Sequence, residues 1–493
     1  MNRNNKTKLF LKAALVMAIT VAFIMPVTAV APKNMALKNQ NLTPHDSTSS
    51  RADSWVMQAS GFTTASRGIN YISIVDENIV WAAGYDGLSP TSPCQEFTKT
   101  LNGGELWEAG YINGASGLGL AMIFAVDANT AWTPMYAASS GTQGIYNTID
   151  GGLTWNRQTT ADYNLAGSFP NCVHFWDANN GWCMGDPVGG YYEIYTTTNG
   201  GTNWVRVPQG DIPAPLSGEF GVVGYYDVIG DTIWFGTNMG RVYKSIDRGL
   251  HWTVAQTTLS EYIKPTFKDQ NNGVVIDLNA EAIAYLSETH DGGTTWTTID
   301  YTGNCYDSDL KYIPGTDNMY VSTGGASTNS GASYSLDGGH TWTEYEAQIG
   351  LQMMDMDFIE GKIGWSGAFS TDETHDGIWK YVPGVPSPAF TISIEGGKGI
   401  TATINNVGEV DASDLESQVS IEGGLWIKTR EFPGTETALP VGDSLVISAP
   451  VMGFGLGIFL QMPKIKVTVS CAEGVTAEKA VEAKIVFTKV ILM

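Results

Sequence analysis

The sequence predicts an all-β chain, a seven-bladed β-propeller closed by its own N-terminal strand and followed by an immunoglobulin-like β-sandwich. Three observations carry this. An eight-residue pattern, S/T-x-D/N-x-G-x-x-W, recurs six times. The tryptophans ending the copies lie 48, 49, 48, 44 and 46 residues apart, the period of architectures built from one four-stranded unit per repeat. Glycine is abundant at 57 residues, and no long 3.6-residue apolar periodicity appears.

The copies carry Asn102 and Trp107, Asp150 and Trp155, Asn199 and Trp204, Asp247 and Trp252, Asp291 and Trp296, and Asp337 and Trp342. Asp or Asn two residues after Ser or Thr caps nearby amides, and the glycine that follows supplies positive φ. Each box therefore reads as a hairpin tip joining a third to a fourth strand. Its tryptophan opens the next strand as an apolar anchor against the neighbouring repeat. These residues read as structural.

About 25 to 30 residues before each box comes a second element, an apolar run, an Asp/Asn/Gly turn and another apolar run. It reads at 71–84, 122–133, 173–185, 225–236, 267–276, 310–324 and 356–367. The last repeat has only a degenerate box, Thr374 to Trp379. Its missing outer strand has a counterpart at Ser54 to Gln58, so pairing of the two ends is expected to close the ring. Residues 53–384 number 332, about seven periods. Closure leaves only short protected edges; a solenoid of similar period is the alternative.

Residues 1–29 carry Arg3, Lys6 and Lys8, then a nearly continuous apolar run, then Val27 and Ala29 at small-residue positions. This reads as a secretory signal cleaved after Ala29, with an uncleaved membrane anchor as the alternative. Residues 30–53, rich in Asn, Thr and Ser, read as a flexible lead. The expected location is secreted or at the cell surface. Loss of Arg3, Lys6, Lys8 and Lys12 with the leader takes the formal charge from −23 to −27. Such acidity with scattered lysine and arginine argues against a nucleic-acid partner.

Five cysteines are too few for a disulfide scaffold. Cys172 and Cys183 flank the turn at 177–181, so they are candidates for one bridge across a hairpin, with buried free thiols as the alternative. After a proline-rich break at 382–389, residues 385–493 read as short apolar strands, expected at 391–394, 400–404, 419–427, 444–447, 458–461, 465–469 and 480–490. That count suits an immunoglobulin-like sandwich. The turn from Asn406 through Gly408 to Ala412 resembles one in adhesion-type surface modules.

Residues 54–384 resemble the Asp-box, or BNR, propellers shared by sialidases, sortilin-type receptors, xyloglucan-cleaving glycosidases and photosystem II assembly-factor-like proteins. The run from Gly181 to Trp204 is most like the assembly-factor-like group. That likeness implies a non-enzymatic platform for another protein. The boxes specify fold more than function.

A ligand face would use the loops opposite the boxes. Among their residues Asp162, Tyr163, Asp186, Tyr191, Tyr192, Glu193 and Glu219 stand out, because aromatics beside carboxylates suit sugar or peptide binding. A sialidase needs three arginines converging on a sugar carboxylate. With Arg248 inside a box and Arg157 and Arg206 on outer strands, only two remain usable. A polysaccharide hydrolase needs only two carboxylates about 5 to 10 Å apart, and eligible acids are plentiful. His251, His290 and His340 occupy variable box positions, His375 the degenerate box and His45 the lead. His174 then stands alone, and no metal site or cofactor is legible. The expectation is an exported binding or scaffold protein for a protein or glycan at the cell surface, with a secreted glycoside hydrolase as the alternative.

Overall fold

The computed structural model describes residues 53–493 apart from 90, 91, 138–140, 162, 279–283, 327, 328, 385–387, 409, 425, 429 and 456–461. The expected leader and lead at 1–52, and the strand expected at 458–461, lie outside the described residues. Ser54–Val382 and Pro383–Met493 form separate compact units.

In the first unit the chain folds into successive antiparallel sheets, typified by Pro170–Phe175, Gly181–Val188, Tyr191–Thr197 and Val205–Arg206 in order of pairing. Local chemistry sets both kinds of turn. In the inner hairpins one carboxylate oxygen caps two amides: Asp177 Oδ1 accepts from Asn179 N at 2.7 Å and Asn180 N at 2.9 Å, and Asp76, Asp127 and Asp269 repeat the arrangement. In the boxes the hydroxyl donates to the acid while accepting an amide. Thr148 Oγ1 lies 2.8 Å from Asp150 Oδ1 and accepts from Gly152 N at 2.9 Å. Gly152 has φ +88°, and a Cβ there would meet the Phe97 ring, so only glycine serves.

The innermost strands are Arg67–Ile74, Phe124–Ala125, Pro170–Phe175, Gly221–Ile229, Ile263–Phe267, Asp309–Tyr312 and Met356–Ile359. Each neighbours the next, and the last lies against the first, which makes the unit a β-propeller. Ser54–Ala59 pairs antiparallel with His375–Val382, from Ser54 opposite Val382 to Ala59 opposite Gly377. The first strand thus shares a sheet with the last two.

Aromatic rings fill the space between sheets. Trp81, Trp132, Trp182, Trp234 and Trp365 are essentially inaccessible. Trp132 stacks on Phe175 of the next sheet at 3.5 Å between centroids, and Trp234 on Phe267 at 3.8 Å. The box tryptophans pack beside them: Trp155 meets Phe97 of the preceding sheet edge-on at 5.6 Å, and Trp252 lies 5.8 Å from Trp182. Trp296 alone among the box tryptophans is only half-buried.

Of the two alternatives for Cys172 and Cys183 the structure has the free thiols, both buried. Cys172 stands opposite Met184, while Cys183 stands opposite Val173. One residue of offset on a pleated strand turns the two sulfurs to opposite faces. Cys172 Sγ points to Val222 O at 3.6 Å, and Cys183 Sγ receives the Tyr163 hydroxyl at 3.3 Å.

Among its described residues the second unit has two antiparallel sheets. One is ordered Phe390–Gly397, Gly399–Asn406, Ser444–Ala449. The other is built on Ala412–Glu422, Lys464–Ser470 and Thr476–Phe487, with Glu431–Leu439 at one edge. Alternate residues, among them Ile392, Ala402, Ile404, Val419, Val467 and Ile485, form one apolar core. Asn406 is fully buried and its amide donates to Val410 O and Leu439 O at 2.9 Å each, holding the turn that follows. The strand Glu431–Leu439 was not anticipated, because its side chains are mostly exposed and carry no apolar alternation.

Candidate functional site

The inner strands begin on one face of the ring, here the upper face, and the box turns lie on the other. At the upper ends of three neighbouring inner strands stands a buried charge cluster. Lys264, second in its strand, places Nζ 2.7 Å from Asp309 Oδ1 and 2.8 Å from Asp355 Oδ1. The Lys264 side chain is 6% exposed and that of Asp309 is fully enclosed. Lower in the same strands Lys311 Nζ lies 3.2 Å from Asp357 Oδ1.

The same carboxylates stitch strand to strand. Asp309 Oδ2 accepts the amide of Met356 at 2.8 Å, Asp355 Oδ2 that of Ile72 at 3.1 Å, and Asp227 Oδ2 that of Phe267 at 2.5 Å. Hydroxyls do likewise elsewhere: Ser73 Oγ accepts from Ala125 N and Thr266 Oγ1 from Tyr312 N, each at 3.0 Å. Each inner strand in these pairs is tied to its neighbour by a polar side chain.

Burial raises the Asp355 carboxyl to about 7, and the neighbouring Asp309 adds to the shift while Lys264 opposes it. Burial works against the charge on Lys264, but Asp309 and Asp355 outweigh it and hold the ammonium above its ordinary value. One ammonium facing two acids balances one of them, so the second acid retains its proton to higher pH. Tyr225 is half-buried, and desolvation together with the charges of Asp309 and Asp355 holds it in its protonated form well past the ordinary phenol range.

The ligand-face residues read from the sequence fall elsewhere, and most are not available to a ligand. Asp162 lies outside the described residues. Glu193 is fully buried, taking the hydroxyls of Ser168 and, at 2.8 Å, of Tyr195. Asp186 accepts from Asn171 Nδ2 at 2.9 Å, and Glu219 pairs with Arg241 at 2.7 Å. Tyr163 and Tyr192 are inaccessible, the latter packed edge-on against Phe235 and Tyr243. Tyr191 is half-buried beneath the Arg206 guanidinium, 4.2 Å from its centroid. The physical reason is strand membership: Asp186 and Tyr191 to Glu193 lie in the strands Gly181–Val188 and Tyr191–Thr197, whose side chains enter the sheet interfaces.

Sequence reasoning passed over Lys264, Lys311, Asp355 and Asp357. Asp309 and Lys311, and Asp355 and Asp357, each repeat charge at i and i+2 within otherwise apolar strands, a pattern that places both on one face. Among the described residues, no group of three or more His, Cys, Asp or Glu side chains is assembled around a metal-sized centre.

Comparison of the chain with protein-family models and with curated proteins gives no match. Among solved structures the chain is similar to YCF48 bound to D1 peptide, at 16% identity and TM-score 0.48, covering 67% of this chain and 96% of that one. It is also similar to YCF48 from Cyanidioschyzon merolae, at 17% identity and TM-score 0.48, covering 66% and 98%. The GH74 enzyme of Niastella koreensis is similar at 13% identity and TM-score 0.42, covering 84% and 72%.

Proposed function

We infer that the chain is an exported binding protein at the cell surface or beyond it, a seven-bladed Asp-box propeller whose upper face docks a protein or glycan partner. An immunoglobulin-like sandwich serves as its spacer or attachment module. The blade count is supported by the ring of inner strands and by the pairing of Ser54–Ala59 with His375–Val382. The Asp-box assignment is supported by the repeated hydroxyl–carboxylate–glycine turns. The sandwich is supported by two sheets closing over one apolar core.

One observation carries the binding reading. The upper-face carboxylates Glu193, Glu219, Asp309 and Asp355 are each committed to buried partners, whereas an acid or base must reach the proton it transfers. A polysaccharide hydrolase is the second reading, favoured by Asp309 and Asp355, which share Lys264 while Asp355 is raised to about 7. Carboxyl pairs in retaining glycosidases stand about 5–5.5 Å apart with the scissile bond between them. Here the Lys264 ammonium occupies that place.

The experiment incubates purified residues 30–493 with a panel of polysaccharides, sialylated glycans and peptides, scoring retention and newly released reducing ends together. Retention without release supports the binding reading. Release that disappears in Asp355→Asn and Asp309→Asn overturns it in favour of the hydrolase.

A further inference from the structure

The larger sheet of the second unit carries an apolar row on the side turned away from the core. Trp426 pairs with Phe454, Phe454 with Val486, and Val486 with Lys489, four strands abreast. Ile427, Ile485 and Val490, each one residue along from a member of the row, pack into the core, so the pleat turns the row itself outward. Trp426 is 56% exposed and Phe454 39%. The rows on either side share this face. Lys484 stands opposite Ile491, and the carbonyl of Met452, two residues before Phe454, accepts the amide of Lys428. Met452 and Ile491 are exposed as well, which makes one continuous apolar patch rather than scattered single residues.

A two-residue turn, Phe487 and Thr488, joins Val486 to Lys489 at the end of the row. Phe487 has φ +55° and is 69% exposed. Glycine is the usual residue where such a turn needs positive φ, and a bulky side chain is strained there. At this tip burial does not offset the strain, and strain without a packing reason collects at sites of function.

Cations border the same face. Lys398 forms an antiparallel bridge with Lys489, and Gly399 N donates to Thr488 O at 2.9 Å, which sets a second hairpin tip beside the first. Lys398, Lys428 and Lys489 are exposed. Among the described residues the three rows hold Lys428, Lys484 and Lys489 and no acid, in a chain whose formal charge is −23. Nor do these rows carry a hydroxyl, amide or carboxylate of the kind that fixes a sugar in its site. Rings and aliphatic side chains ringed by ammonium groups complement a bilayer interface, where tryptophan sits at the depth of the headgroups and lysine meets anionic lipid.

We propose that this face of the second unit docks on an anionic lipid surface, with Phe487 and Trp426 entering the headgroup region and the lysines meeting lipid phosphates. The inference rests on the reading of the second unit as an attachment module and names what it attaches to.

The test is co-sedimentation of residues 30–493, which lack the apolar run of the leader, with vesicles of phosphatidylcholine alone or with about one-third phosphatidylglycerol. Saturable binding to the anionic vesicles is expected, at least about tenfold weaker on phosphatidylcholine alone. Lys428→Gln/Lys489→Gln should lower it about 25-fold, roughly fivefold for each charge at the surface. Phe487→Gly should bind vesicles more weakly yet melt at or above the wild-type temperature, a combination that a merely structural aromatic would not give. No sedimentation with either vesicle, or unchanged binding in Trp426→Ser/Phe454→Ser/Phe487→Gly, overturns the proposal. Retention on an acidic polysaccharide, lost in that triple variant, with indifference to vesicles, overturns it in favour of a sugar. A chain that holds a partner from the glycan and peptide panel but ignores vesicles loses this inference alone, and one that binds vesicles but no partner loses only the upper-face reading.

Discussion

Asp355 Oδ2 accepts the backbone amide of Ile72 at 3.1 Å, across 283 positions of sequence, and so joins the last inner strand of the propeller to the first. The other oxygen of the same carboxylate holds Lys264 at 2.8 Å. One side chain thus belongs both to ring closure and to the charge cluster at the upper ends of the inner strands.

Removing the ammonium is therefore expected to cost more than one ion pair. Lys264→Met leaves Asp309 and Asp355 buried and facing one another, and breaking a buried pair from one side costs about 3–5 kcal/mol. Urea denaturation should show that loss, and Lys264→Met/Asp355→Asn should recover part of it. A single variant as stable as wild type would mean that the cluster does not hold the ring.

The pH dependence follows from opposite shifts. Asp355 binds its proton more tightly folded than unfolded, so its contribution to stability falls as pH rises from about 4 towards 7. Asp291 and Asp372, both drawn down to about 2 by hydrogen bonds from their own turns, contribute stability above about pH 4 that is lost as pH falls towards 2. Denaturation midpoints measured from pH 2 to 8 should rise through the acid limb, and Asp355→Asn should flatten the decline between pH 4 and 7. An unaltered decline in that variant would assign the limb to other groups.

The box tryptophans should differ from one another. Trp252 is 6% exposed, touches Trp182 and Phe235, and donates its indole N–H to Gly249 O at 2.8 Å. Its replacement by alanine should cost about 3–5 kcal/mol. Trp296, half-buried, should cost distinctly less. Equal losses in equilibrium unfolding would contradict the difference in packing.

The thiols should be silent in the native state. Burial pushes Cys172 to about 12 and Cys94 to about 11, and all five cysteines are free and buried. Ellman's reagent should find five thiols after guanidinium denaturation and almost none before, and reductant should leave the melting temperature unchanged. Three thiols in the denatured chain would establish a bridge.

The sequence makes legible what neighbouring residues decide. Box turns such as Thr148 to Gly152, and Asp-capped hairpins such as Asp177 to Asn180, are local chemistry, so their spacing reveals the repeat. The offset of Cys172 from Cys183 depends on which residues the turn leaves unpaired, and an uncertainty of one residue reverses a side chain's face. The meeting of Lys264 with Asp309 and Asp355 is set by ring geometry between repeats. Glu193 and Glu219 misled because a carboxylate near a loop looks solvated until its buried hydroxyl or guanidinium partner is known.

The pairing of Ser54–Ala59 with His375–Val382 also orders events in time. A chain emerging N-terminus first carries this strand as an unsatisfied edge until more than 300 further residues have followed it, and such edges recruit unintended partners. Assembly of the ring is thus gated by the last repeat to be made. A ribosome stalled before Val382 would release a product whose earliest strand is still seeking a mate.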